Sequence, residues 1–402
     1  MKTIFGILPT LLAPLLIFLS ACSTPSVDLH SNQLFHDDFF KTPAQPVNTT
    51  EIFALSDEMA RYIESDFRKD IYTNGLRKGL FEALGRRAEM KIDYDATVTK
   101  NAADTFRTRS GNCLSLVIMT SAFAKNLGID VTYQQVQSQA TWSRYGGLQF
   151  ASGHVNIVLG KRHDASNGWR VLQDYALDET LIIDFQPSSE LQNERADPIN
   201  EKRVIAMYMN NRAAELMSEQ QNELAYWYAR KSLENDPRFM SALNTLGVLY
   251  QNTGHLPEAE QVYRQLLAYE RNPNTLHNLI NVLQQLRRAD EAAALSAELT
   301  RIQPYPPFYF LDQGIKAMDL ADYQTAKKLF MKELERDPYY HELHFWLAIA
   351  HLKLNELPQA KEQLERAKAE SLTSQQAAIY GAKLARLQAS VKSSATPQGR
   401  PQ

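Results

Sequence analysis

Cysteine is nearly absent. The 402-residue chain has two, Cys22 and Cys113, too few for a disulfide framework. Charge of one sign is also missing. A formal net charge of −3 provides no basic field, which excludes nucleic acid as a partner. After Leu19 no second long apolar run follows, so nothing in the body reads as a membrane-spanning helix. The glycines of "YGGLQFASG" lack the flanking strand and helix of a phosphate loop and read as a flexible flap. Metal-ligand patterns are lacking too. His163 in "KRHDASNG" reads as a turn residue. His341, Glu342 and His344 share a helix with no further ligands and read as solvated surface. No metal and no cofactor is expected.

The N-terminus supplies the first positive signal. "MKTIFGILPTLLAPLLIFLSAC" places Lys2 before an apolar stretch from Ile4 to Leu19 and ends in small residues, the layout of a secretory signal. "LSAC" resembles a bacterial lipobox, which implies cleavage before Cys22 and lipidation of that residue. The Ser23 that follows implies the outer membrane of a Gram-negative cell, facing the periplasm. Residues 1–21 are thus expected as signal peptide. Residues 22–50, rich in Ser, Thr, Asp and Pro, are expected as a tether.

Apolar spacing is helical from Phe53 to Phe67 and again from Leu76 to Met90. "LSLVIMTSAFAKNLGI" is apolar on almost every side, so a helix there must be buried. Beyond it "VTYQQVQ", "HVNIVLG", "WRVLQDYA" and "LIIDFQP" alternate at period two. Helices followed by strands argue for an α+β domain over 51–200 with an antiparallel sheet. The rest differs in kind. Prolines 237, 273, 304 and 338 recur every 31 to 36 residues, and between them paired helical patterns repeat. This resembles tetratricopeptide repeats, two helices per ~34 residues. It implies an all-α solenoid of about five repeats and a closing helix over 204–390, with 391–402 a disordered tail.

Cys113 lies in "RTRSGNCLSL", where Asn112 and Ser110 can cap the buried helix and put the thiol in its first turn. A helix N-terminus favours thiolate, and its free N–H groups can hold an oxyanion. A nucleophile there needs a base and a group to orient it. His154 in "HVNIVLG" shares a strand face with Asn156 and Val158, opposite Val155, Ile157 and Leu159. Asp184 in "LIIDFQP" stands opposite in face to Ile183 and Phe185. The order helix Cys, strand His, next-strand Asp resembles the transglutaminase-like superfamily, a branch of papain-like folds. The matched pieces are "RSGNCLSL" with "AKNLGI", "GHVNIVL" and "IIDFQP". The resemblance implies Cys113 as nucleophile, His154 as general base and acid, and Asp184 as orienter. Asp174, soon after Trp169, is the alternative orienter. Gln135 and Gln137 are candidate second oxyanion donors.

The expected function is therefore a lipid-anchored outer-membrane protein with a cysteine acyl-transfer domain, a peptidase or amidase by the resemblance. Its repeats would dock a polypeptide substrate or partner. The alternative is an inactive envelope scaffold acting through its repeats. A redox role lacks a resolving cysteine. The repeats' first helices offer amides and aromatics for docking: Tyr208, Asn210, Asn211, Asn244, Tyr250, His277, Asn278, Asn281, Phe310, Gln313, His344 and Trp346. About half of the aromatics are expected to serve inter-repeat packing.

Overall fold

A computed structural model describes residues 31–85, 93–95, 97–145, 148–160, 180–185, 195–371 and 373–395. Cys22, His163, Trp169 and Asp174 lie outside the described residues.

The N-terminal half opens with α1 (Asp57–Tyr62), whose N-cap Ser56 accepts from the Met59 N–H. A single wide turn, Ile63–Phe67, leads to α2 (Arg68–Asn74). Gly75, at φ 76°, ends α2 and permits α3 (Leu76–Gly85) to start in a new direction. The short strands β1 (Asp93–Tyr94) and β2 (Ser110–Gly111) pair in parallel on either side of α4 (Ala102–Thr108). Then comes α5 (Cys113–Asn126), buried from Leu114 to Ala124. That is the consequence of its all-round apolar sequence. Its Phe123 meets Phe67 and Phe106 at ring distances of 5.1 and 5.5 Å.

A four-stranded antiparallel sheet packs on α5. It comprises β3 (Val131–Tyr145), β4 (Leu148–Leu159), β5 (Leu181–Ile183) and β6 (Ala196–Ile199), in the order β5-β4-β3-β6. Val155, Ile157 and Leu159 join the core. Two sequence readings change here. The segment read as a flap is largely ladder, with Tyr145 paired to Leu148 and a bulge between Val136 and Thr141. The segment "ADPI", not among the strands expected from the alternation, is an edge strand. Pro198 sits opposite Gln134 on that edge, where a missing N–H does no harm.

From Asn200, which caps the next helix by accepting from the Arg203 N–H, the chain is helical pairs. These are α6 (Glu201–Ser218) with α7 (Asn222–Asn235), α8 (Met240–Asn252) with α9 (Leu256–Tyr269), and α10 (Pro273–Gln285) with α11 (Ala289–Ile302). Then α12 (Tyr309–Asp319) pairs with α13 (Tyr323–Leu334), and α14 (His341–Lys353) with α15 (Leu357–Ala369). The closing helix α16 (Ser374–Ala395) runs past Val391, where composition read as tail. Glycines let the helices of a pair approach closely. A Cβ on Gly247 would stand 2.5 Å from the Tyr263 ring, and one on Gly314 2.3 Å from Phe330. The buried apolar core is continuous from Leu34 through α5, the sheet and the repeats to Ala292, and a separate cluster starts at Phe308. The joint between them, "QPYPPF", ends at Phe308 with φ 64°, a left-handed conformation bulky residues avoid. Because α6 shares its core with α5 and the sheet, the repeats are a domain in sequence but not in packing.

The segment expected as a tether is, from Gln33 onward, a strap on the first two repeats. Leu34 and Phe40 are buried, and Phe40 stacks on Tyr226 with centroids 4.1 Å apart. Phe39 stacks on His255 at 4.0 Å. Asp37 accepts from the Tyr226 hydroxyl and from Arg230, and the Leu34 carbonyl accepts from the Tyr250 hydroxyl. The apolar residues of "LFHDDFF" are too few to show a period but enough to anchor a strap.

Candidate active site

The site is built on the turn before α5. Arg109 takes the left-handed φ of 51° that ends α4. Gly111 follows where the chain passes so close to α5 that a Cβ would lie 2.7 Å from that of Ser115. Lys100 fastens the turn by donating to the Ser110 carbonyl and hydroxyl. Of the two expected caps, Asn112 does the capping. Its Oδ1 accepts from the Ser115 N–H at 2.9 Å, while Ser110 is held by Lys100. Cys113 is thereby the first residue of α5, half-buried.

His154, 4 % exposed on β4, points Nε2 at both carboxylate oxygens of Asp184, at 2.7 and 2.8 Å. Cys113 is the other polar group beside the ring. With Nε2 occupied by the carboxylate, Nδ1 is the nitrogen left for the thiol. Burial works against a charged ring here, but the bonds to Asp184 and Cys113 outweigh it and raise the imidazole from 6.5 to about 9. The three residues named from the sequence are thus brought together from a helix, a strand and the end of the next strand, Asp184 remaining partly exposed.

Linkage gives this a sign. A histidine held above its unfolded value adds stability that is complete below about pH 6.5 and disappears as pH rises through about 9. Urea midpoints of the parent and of His154→Gln should therefore differ most near pH 6 and converge by pH 9.5. A difference that stays constant across that window would contradict the charged pair.

Sequence reasoning missed Tyr94, which "IDYDAT" hid among turn residues. It lines the cleft beside Cys113, and burial next to Cys113 and Asp184 pushes its phenol well above its usual value. A Tyr hydroxyl thus stands close to the helix end expected to hold an oxyanion. Gln135, one of the two amide candidates, faces Gly153, the residue before His154, with Nε2 3.8 Å from a Cβ placed there. It lines the same cleft. The other, Gln137, is on β3, and its side chain lies outside the described residues.

The first repeat holds the site from behind. Thr99, 2 % exposed, gives its N–H to Glu215 at 2.7 Å. Its hydroxyl oxygen accepts from Asn112 and from Asn211, at 2.8 and 3.2 Å. Burial pushes the Glu215 carboxyl up against the pull of Arg212 and Thr99. A chain of bonds therefore links α6 to the residue immediately before Cys113.

The cleft opens into a cavity of about 2330 Å³ that runs from Tyr94, Cys113 and His154 along the repeats to Tyr380. Small-molecule pockets span roughly 300–1,000 Å³, so this is a groove for something larger. Of the side chains expected to face it, Asn210, Asn211, Asn244, His277, Asn278, Asn281 and Gln313 do. Tyr250 and Phe310 are buried as packing instead. His344 and His341 correct the reading as solvated surface. They are 3 % and 7 % exposed and tie the last helices together, His344 through Gln363 and the Pro338 carbonyl, His341 through Tyr380. A repeat helix flanked on both sides buries polar residues that a lone amphipathic helix would expose. Among the described residues no cluster of His, Cys, Asp or Glu could hold a metal, and no helix is long and apolar enough to cross a membrane.

Residues 228–261 and 341–366 match the tetratricopeptide repeat family. Over 155 residues the chain is 24% identical to "Protein STIP1 homolog" of Dictyostelium discoideum, covering 37% of this chain and 26% of that protein. Over 63 residues it is 30% identical to uncharacterized protein ycf37 of Guillardia theta, covering 16% of this chain and 35% of that protein. The chain thus spans about a third or less of the curated relatives it matches. Among solved structures, PilF of Pseudomonas aeruginosa is 22% identical, with 47% of this chain and 94% of that one covered and a TM-score of 0.26. YrrB, described as a repeat protein with an unusual peptide-binding site, is 20% identical, with 44% and 92% covered and a TM-score of 0.24. The helical pairs are tetratricopeptide repeats, modules of protein–protein interaction.

Proposed function

We propose that this chain is a thiol acyl-transfer protein with a transglutaminase-like domain, whose repeats hold a polypeptide beside Cys113. The observation that carries it is the Cys113, His154 and Asp184 constellation, with the thiol on the first residue of a buried helix and Nε2 on the carboxylate. In this reading the sulfur attacks an amide or ester carbonyl and the C–S bond forms as the tetrahedral oxyanion develops. His154 gives its proton to the departing amine or alkoxide, and water, deprotonated by the same ring, hydrolyses the thioester. Attachment to the outer membrane through a lipidated Cys22 belongs to the same proposal and rests on "LSAC".

A second reading, an inactive scaffold, is favoured by one observation. The Tyr94 phenol lines the cleft beside Cys113, at the helix end that would hold the oxyanion. The two separate with a simple acyl donor. Mixing the protein with p-nitrophenyl acetate should release a burst of one p-nitrophenolate per chain and leave an acetyl group on Cys113 detectable by mass spectrometry. The burst should vanish in Cys113→Ala. A parent protein without a burst would hand the site to the scaffold reading.

A further inference from the structure

The groove has a chemical character of its own. Its acidic lining includes Glu219, Glu270, Asp312, Glu342 and Glu370 along the repeats, with Asp95 beside Tyr94 at the Cys113 end. Its basic lining residues are Lys316, Arg212 and the protonated His154, and the last two are paired with Glu215 and Asp184. Against a whole-chain formal charge of −3, this face concentrates negative charge in a concave surface, where low-dielectric walls focus it. Tyr309 and Tyr339, 36 % and 42 % exposed, also line it and offer ring faces to cations.

A second observation is independent of charge. Asn210 lines the groove on α6 at 9 % exposed, and its Oδ1 has no hydrogen-bond partner. A buried amide oxygen left without a donor is costly. Asn210 lines the groove, so a turn of its amide on binding would let a main-chain N–H complete that oxygen. Further along, Asn278 donates to Asn244 at 3.1 Å, and both amides keep capacity for a chain laid across them.

We propose that the groove receives an extended polypeptide segment rich in lysine or arginine, its backbone on the asparagines and its cationic side chains on the carboxylates and tyrosines. This names the partner class for the docking role above and rests on that reading only for the location of Cys113. Polyamines share the charge but have no main-chain amides for Asn210, so the commitment is to polypeptide.

The test uses the full chain carrying Cys113→Ala, which removes turnover, and three fluorescent fifteen-residue peptides. These alternate Ser and Gly with Lys, with Glu, or with neutral Gln, and anisotropy reads binding. The Lys peptide should bind, and the affinity should fall steeply between 50 and 500 mM NaCl. The Glu219→Lys, Glu270→Lys double variant should weaken it by about tenfold. Both positions are exposed, so folding should survive, with circular dichroism as the check. Asn210→Ala should weaken all binding without changing the preference for Lys over Glu. Equal binding of the three peptides, absence of binding by any, or no effect of the charge reversal would each overturn the proposal. So would displacement of the Lys peptide by spermidine at equal charge. None of these outcomes bears on the p-nitrophenyl acetate burst, which needs no groove.

Discussion

His154→Ala is expected to slow the acylation burst by roughly 10²–10⁴-fold, the usual contribution of a positioned acid–base group. The reason is geometric. The ring is fixed from behind by two contacts to Asp184, at 2.7 and 2.8 Å, and has Cys113 as its other polar neighbour. Removing it leaves Cys113 with a helix N-terminus but no partner to exchange a proton. Asp184→Ala should fall between parent and His154→Ala, because the ring survives but loses its orientation and its charge partner. It should also bring the imidazole, now near 9, down towards its ordinary range. Stopped-flow release of p-nitrophenolate gives the rates, and histidine ring resonances followed by NMR against pH give the titration. If His154→Ala acylates as fast as the parent, the three residues are neighbours without a shared task.

The second large effect concerns stability. Phe40→Ala should lower it by about 3–5 kcal/mol, the range for truncating a buried phenylalanine. Phe40 is 5 % exposed and lies face to face with Tyr226, 8° from parallel. Its loss empties the space between strap and repeats and loosens the Asp37 bonds to Tyr226 and Arg230 beside it. Thermal unfolding followed by circular dichroism measures the cost. Limited proteolysis should then cut near residues 41–50 in the variant before it cuts the parent. A change below about 1 kcal/mol would mean that the strap is only laid on the surface.

What could be read from the chain, and what could not, follows from signal length. The repeats announced themselves because a period of ~34 residues is sampled several times over, so errors in single positions cancel. The buried helix after Cys113 was equally legible, as a long apolar run has one physical outcome. Asn112 was readable as a cap because caps are local. Tyr94 was not. It reaches Cys113 through a two-residue strand paired in parallel with Ser110 and Gly111, and no local pattern encodes such a pairing. The strap failed for a related reason. Its anchors are isolated residues whose hydrogen-bond partners are tyrosines 189 to 216 residues later. The edge strand "ADPI" was masked by its proline, which argues against a strand everywhere except on an edge. The buried histidines of α14 were misjudged because a helix read alone has a solvent side, and a helix stacked between two others has almost none.

The interruption at "QPYPPF" has a consequence for how such a chain can change. On one side a single core binds strap, Cys113 helix, sheet and three repeats into a unit, so few insertions there go unnoticed by Cys113. On the other side the last two repeats and α16 have their own buried clusters. Repeats added or deleted beyond Pro304 alter the reach of the groove without disturbing the packing that sets the thiol in place. The distal block thus has the packing of an exchangeable extension, whose length can change while the geometry at the near end of the groove is kept.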